Sequence, residues 1–277
     1  MKRRLLVTGA SGLLGGRLAS LLAASFDVLG TRHRADPPTP EVIPLDLDHP
    51  ETLAAALDRA RADAVLHCAA LADADACERE PERARTINVD AAAALARWAR
   101  ARSARHIHVS TDLVLGGRRP FSREEDAAEP ILAYGRTKRD GEEAVLAEGG
   151  LVVRVPLIVG RGHGARRTAS EAIADALAAR RPLRLYTDQH RTPTDAESIA
   201  GALAVLVEGA HQGRFHLGGP ERVSRHELGL RVARVWGLPP DTIEAVTMES
   251  APLAVPRPAD VSMDSSRAAR ELGYAPR

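Results

Sequence analysis

Short apolar runs alternate with amphipathic stretches through the first 160 residues. Residues 4–7 form an apolar run of strand length, 12–24 carry apolar positions at helical spacing, and 27–30 return to a strand. The same rhythm continues with predicted strands at 42–45, 64–68, 106–110 and 151–155, and predicted helices at 51–61, 81–102 and 133–147. Strands separated by helices must run parallel, with right-handed crossovers, so the pattern predicts an α/β fold built on a doubly wound, Rossmann-type sheet. The alternation stops near Gly160. Beyond it come a basic, Gly-containing loop at 161–167, helices near 170–180, 195–208 and 224–236, and a Pro-rich stretch at 252–258. The chain therefore divides into a Rossmann domain at 1–160 and a smaller C-terminal α/β lobe at 161–277, partly interleaved with the sheet. Ligands of such sheets bind at the carboxyl ends of the strands, and the lobe is expected to cover them.

Composition narrows the function classes. With 44% apolar and 27% charged residues, the chain is ordinary for a globular protein. Thirty-eight Lys and Arg against 37 Asp and Glu leave a net charge of +1, too little for a nucleic-acid or anionic-lipid footprint. The basic start at residues 1–7 imitates a signal peptide, but Thr8-Gly9 ends its apolar run. The best spanning candidate, 202–207, is far too short for a membrane helix. Cys68 and Cys77 match no zinc or CxxC spacing, so a cytoplasmic protein without disulfides or metal is expected. The ten histidines form no His-x-x-x-His pair; His106 and His108, at i,i+2 on one strand, read as structural, and His163 as a loop residue. Lys occurs only at Lys2 and Lys138 and Asn only at Asn88, so these rare types draw attention where they survive.

Candidate chemistry sits at the predicted strand ends. Thr8-Gly9-Ala10-Ser11-Gly12-Leu13-Leu14-Gly15 follows a strand and opens a helix, where backbone N–H groups and the helix N-terminus can take a dinucleotide pyrophosphate. A Gly-rich turn without a ligand is the plainer alternative. After the second strand, Thr31, Arg32 and Arg34 stand where an NAD enzyme would present a carboxylate, which favours NADPH over NADH; a solvated basic loop would look the same. Asp46-Leu47 follows the third strand, in reach of an adenine. In Tyr134-Gly135-Arg136-Thr137-Lys138, phenol and ammonium lie one helical turn apart on one face, and a nearby cation stabilises a phenolate. Thr111, ending the fifth strand, offers a hydroxyl to a carbonyl oxygen, and Asn88 an amide to a water or to Lys138.

The TGxxGxxG loop, the strand-five hydroxyl, YxxxK and the small C-terminal lobe resemble an extended short-chain dehydrogenase/reductase over essentially the whole chain. Within that superfamily the segments 110–114, 134–138 and 188–194 are most similar to the dTDP-4-dehydrorhamnose reductase group. The resemblance implies Thr111, Tyr134 and Lys138 as the catalytic set, Asn88 in support, and hydride transfer from nicotinamide C4 to a 4-keto nucleotide sugar as Tyr134 gives the proton. It implies Gly9, Gly12 and Gly15 at the pyrophosphate, Asp46 and Leu47 at the adenine, Cys68, Ala69 and Ala70 lining the cleft, and Lys138 on the nicotinamide ribose. Arg191 and Arg257 look like the pair of guanidiniums that bind a nucleotide-sugar diphosphate in epimerase-type relatives. The helices bearing Asn88 and Tyr134 resemble those forming four-helix contacts in many relatives, so a homodimer is one expectation beside the monomeric members. Two rivals stand beside reduction: a nucleotide-sugar 4-epimerase, and a non-catalytic NADP-binding partner resembling the methionine adenosyltransferase β subunit. A 4,6-dehydratase would need an Asp-Glu pair after the strand-five Thr, and here Asp112 is followed by Leu113.

Overall fold

A computed structural model describes residues 2–33, 37–164, 167–251 and 255–277. Seven parallel strands form the central sheet: β1 (Arg4–Thr8), β2 (Asp27–Arg32), β3 (Glu41–Pro44), β4 (Ala64–His67), β5 (Arg105–Thr111), β6 (Leu151–Val155) and, from the second half, Gly213–His216. From the edge formed by Gly213–His216, the order runs through β6, β5, β4, β1 and β2 to β3. The chain thus reverses direction across the sheet between β1 and β4, where a crevice opens at the carboxyl ends.

Both faces are covered, which is why the central strands read as apolar runs. In β1 the side chains alternate: Leu5 and Val7 join Leu18, Phe26, Ile107, Val153 and Phe215 on one side, while Leu6 joins Leu29, Leu57, Val65, Leu95 and Trp98 on the other. Helices α1 (Leu13–Leu22), α2 (Leu53–Ala60), α3 (Ala74–Arg79), α4 (Pro81–Arg85), α5 (Ala91–Ala101) and α6 (Ala133–Ala147) connect the strands. The single helix predicted at 81–102 is interrupted by one wide π turn, Thr86–Asp90, which contains Asn88. Such turns recur at functional sites because they re-aim one side chain.

The second half adds β7 (Ile158–Val159), α7 (Ala169–Ala178), β8 (Leu183–Tyr186), β9 (His190–Arg191), β10 (Thr194–Asp195), α8 (Ala196–Glu208), β11 (the Gly213–His216 strand), β12 (Val223–Ser224), α9 (Arg225–Trp236), β13 (Ile243–Val246) and α10 (Ser266–Leu272). Its small pairings, β7–β10, β9–β12 and β8–β13, fold beside a separate cluster that includes Ile173, Leu177, Val223, Leu228 and Val232. Among the described residues, no helix is long and apolar enough to cross a membrane, and no group of three His, Cys, Asp or Glu is placed to hold a metal ion.

Candidate active site

The crevice is a cavity of about 660 Å³ that runs from the ends of β2 and β3 to the first turns of α6. At its centre the loop Gly9–Gly15 turns from β1 into α1. Gly9 has φ 68°, a left-handed conformation, and a Cβ there would lie 2.8 Å from the Ala69 backbone. A Cβ on Gly15 would lie 2.4 Å from the Gly9 carbonyl oxygen, so the loop closes on itself only without side chains. The N-cap of α1 is Gly12, which has no side chain to cap the helix, and no acidic residue occupies the first turn. The first amides of α1 are therefore left for an anion, which fits the pyrophosphate of a dinucleotide. Ser11, Gly12, Leu13 and Leu14 line the cavity here, and Cys68, Ala69 and Ala70 line it opposite, after β4. Burial pushes the Cys68 thiol up to about 12, so it stays neutral.

At the far end, the side chains differ from the expected set. Thr31 lines the cavity, but its hydroxyl accepts the Gly9 N–H at 3.3 Å and so braces the glycine loop. Arg32 is exposed, and Arg34 lies outside the described residues. The basic side chains lining this end are His33, 3.2 Å from the Asp46 carboxylate, and Arg83 on α4, which grips Asp48 through two hydrogen bonds of 2.8 and 3.1 Å. Leu47 lines the cavity between them. Sequence reasoning missed Arg83 because it is distant in the chain and brought in only by the packing of α4.

The opposite end gathers Thr111, Tyr134 and Lys138. α6 begins at Ala133 without a side-chain cap from Leu132, and Glu78 of α3 supplies it, accepting the Ala133 N–H at 2.7 Å. That contact fixes the turn that carries Tyr134. Burial and the neighbouring Asp112 carboxylate both push the phenol pKa up, and a hydrogen bond with Thr111 opposes them. The expected lowering by Lys138 is absent from the protein alone, because that ammonium is directed into the sheet. Its Nζ donates to His108 Nε2 and to the Val109 carbonyl, each at 2.9 Å, and burial lowers its pKa to about 8. Tyr134 thus keeps its proton at neutral pH, as a proton donor requires.

Asn88 is almost fully buried beside this site. Its amide donates to the Leu71 carbonyl and to Thr137 Oγ1 and accepts the Leu71 N–H, so it ties the π turn to α6 through Thr137 rather than through Lys138. One turn beyond Lys138, Glu142 accepts from Ser110 Oγ at 2.5 Å and from Arg154 at 2.7 Å in full burial. Asp112 joins the site to the second half: it accepts Thr111 Oγ1 at 3.2 Å and pairs with Arg191 at 2.7 Å, both side chains nearly buried. Arg225 lies near this pair, and burial beside Arg191 lowers its pKa to about 10. Arg257 is held elsewhere, 3.1 Å from Asp75 of α3. The two arginines expected to share one diphosphate therefore answer to different carboxylates in the protein alone.

A switch-point cleft with a glycine loop, together with a hydroxyl, a phenol and an ammonium at one end, defines an extended short-chain dehydrogenase/reductase. Residues 3–277 match the family model described as RmlD substrate binding domain, and the chain belongs to that family. It is 33% identical over 96% of its length to a probable low-salt glycan biosynthesis reductase, Agl14, of Haloferax volcanii, covering 91% of that protein. It is 31% identical, again over 96% of the chain and 81% of the relative, to methionine adenosyltransferase 2 subunit beta of Pongo abelii. Among solved structures, a hypothetical dTDP-4-dehydrorhamnose reductase from Sulfolobus tokodaii superimposes with a TM-score of 0.88 at 31% identity, over 98% of this chain and 95% of that one.

Proposed function

We propose that the protein is an NADPH-dependent reductase of a 4-keto nucleotide sugar, with dTDP-4-dehydrorhamnose as the substrate to try first. The observation that carries this reading is the convergence of Thr111, protonated Tyr134 and Lys138 at one end of a dinucleotide-shaped cleft. Gly9–Gly15 would hold the pyrophosphate and Asp46 and Leu47 the adenine, with Arg83 as the cation and His33 as a further donor for a 2′-phosphate. The bound nicotinamide would supply the hydride. Thr111 would hydrogen-bond the keto oxygen, Tyr134 would protonate it, and Lys138 would steady the phenolate that remains. Arg191 and Arg257 are candidates for the diphosphate, which they would reach by exchanging Asp112 and Asp75 for phosphate oxygens.

The test is NADPH oxidation with dTDP-4-dehydrorhamnose generated in place, run beside NADH and beside Tyr134→Phe. Net consumption that is lost in the Phe variant supports the reductase, whereas a 4-epimerase regenerates its cofactor and consumes none. A second reading, a non-catalytic NADP-binding partner, is supported by the methionine adenosyltransferase 2 beta relatives at 29–33% identity. Saturable NADPH binding without turnover of any keto sugar would favour it.

A further inference from the structure

Three buried histidines lie behind Lys138, and the mechanism above uses none of them. His67 on β4 stands opposite His108 on β5 in register, Thr8 on β1 stands opposite His67, and His106 is two residues back on β5. The ring centroids of His67 and His108 are 5.1 Å apart, and those of His67 and His106 are 6.2 Å apart. His67 and His108 are completely buried and His106 nearly so. Burying polar rings is costly without a return, and His67 Nε2, His108 Nδ1 and both His106 nitrogens have no hydrogen-bond partner among the described residues.

We propose that His108 is a positioning residue for Lys138: its Nε2 lone pair holds the ammonium at the floor of the cleft, and the packed ring of His67 keeps the imidazole from turning away. An ammonium only donates, so His108 Nε2 must be unprotonated and the ring proton must sit on Nδ1. Burial keeps His108 neutral by pulling its pKa well below 6.5, and the Lys138 charge acts in the same direction. His67 is fixed in turn: its Nδ1 lies 2.7 Å from Thr8 Oγ1, and that hydroxyl also accepts the Ala69 N–H.

The other groups around Lys138 cannot take over this role. On α6, Glu142 raises the Lys138 pKa, but its oxygens are engaged by Ser110, Arg154 and Arg214; Tyr134 is protonated. After β4, Cys68 is a neutral thiol, and on β5 the remaining contact is the Val109 carbonyl. Two of the three ammonium N–H groups are thus spent on β5, and the third is left for a ligand in the cleft that Lys138 lines. What Lys138 does with it rests on the reductase reading; how it is held does not.

The experiment uses the scarcity of lysine. With only Lys2 and Lys138 in the chain, lysine labelled with ¹³C at Cε gives two NMR signals, and Lys2 serves as the internal reference. In the full-length wild-type protein, Lys138 should titrate near pH 8. His108→Leu should lower that midpoint by about one pH unit or more, the size of a lost hydrogen bond to a charged group, and His108→Gln, which retains an acceptor, should restore most of it. An unchanged midpoint in folded His108→Leu overturns the proposal. If that variant does not fold, the wild-type imidazole ¹H–¹⁵N spectrum decides: an Nδ1–H tautomer at His108 is expected, and an Nε2–H tautomer overturns it. No substrate is involved, so a failed turnover assay leaves this test standing, and a failed titration leaves the reductase reading standing.

Discussion

One face of α6 carries Tyr134, Lys138 and Glu142, each one turn from the next, and the two ends of that face treat charge in opposite ways. Glu142 is buried among partners of opposite sign, Arg154 and Arg214, with Ser110 completing its shell. Lys138 is equally buried, yet its two acceptors are an uncharged imidazole and a carbonyl. Where charge is answered by charge, the result is a clasp that fastens α6 to β6. Where the direct acceptors are only dipoles, burial outweighs the more distant Glu142 charge and the pKa falls.

Glu142→Ala should break the first end, leaving Arg154 buried without its carboxylate; a loss of about 3–5 kcal/mol in chemical denaturation is expected. Tyr134→Phe should break only the second: under the proposed reductase function, turnover of a keto sugar should fall by about 10²–10⁴, while stability stays within about 1 kcal/mol of the wild type. Acid sharpens the contrast through the buried histidines, three behind Lys138 and His216 beside Arg154. His67 and His108 are held well below 6.5, His106 at about 4 and His216 at about 3. Below pH 6.5 the unfolded chain binds protons that the folded one refuses, so stability should fall as pH drops from about 6.5 toward 4, by about 1.4 kcal/mol per group per pH unit. A flat denaturation midpoint across that window would show that these rings are solvated. Glu78→Ala should have the smallest effect, about 0.5–2 kcal/mol, by uncapping α6; because Tyr134 sits in that first turn, activity should fall with it.

Most of the first half was legible because its elements are written locally; α3 at Ala74–Arg79 and the π turn within 81–102 were not. Leu5-Leu6-Val7 states a buried strand, the glycines that follow state a tight turn into a helix, and a four-residue spacing puts Tyr134 and Lys138 on one face. The second half resisted because its strands are mostly two to four residues long and Gly213–His216, with glycine and arginine among its four residues, carries no strand period; it is a strand because β6 offers it an open edge.

By itself the sequence determined the doubly wound sheet, the glycine loop and the order of Thr111, Tyr134 and Lys138 along the chain, since periodicity and glycine stereochemistry act over a few residues. Only the tertiary structure decided which charge meets which. Arg83 reaches the cleft on a helix packed from elsewhere, Arg191 meets Asp112 across 79 positions, and His108 faces Lys138 because β5 lies beneath α6. Electrostatic partners are chosen by distance in space and by exclusion of water, and neither quantity is encoded in residue spacing.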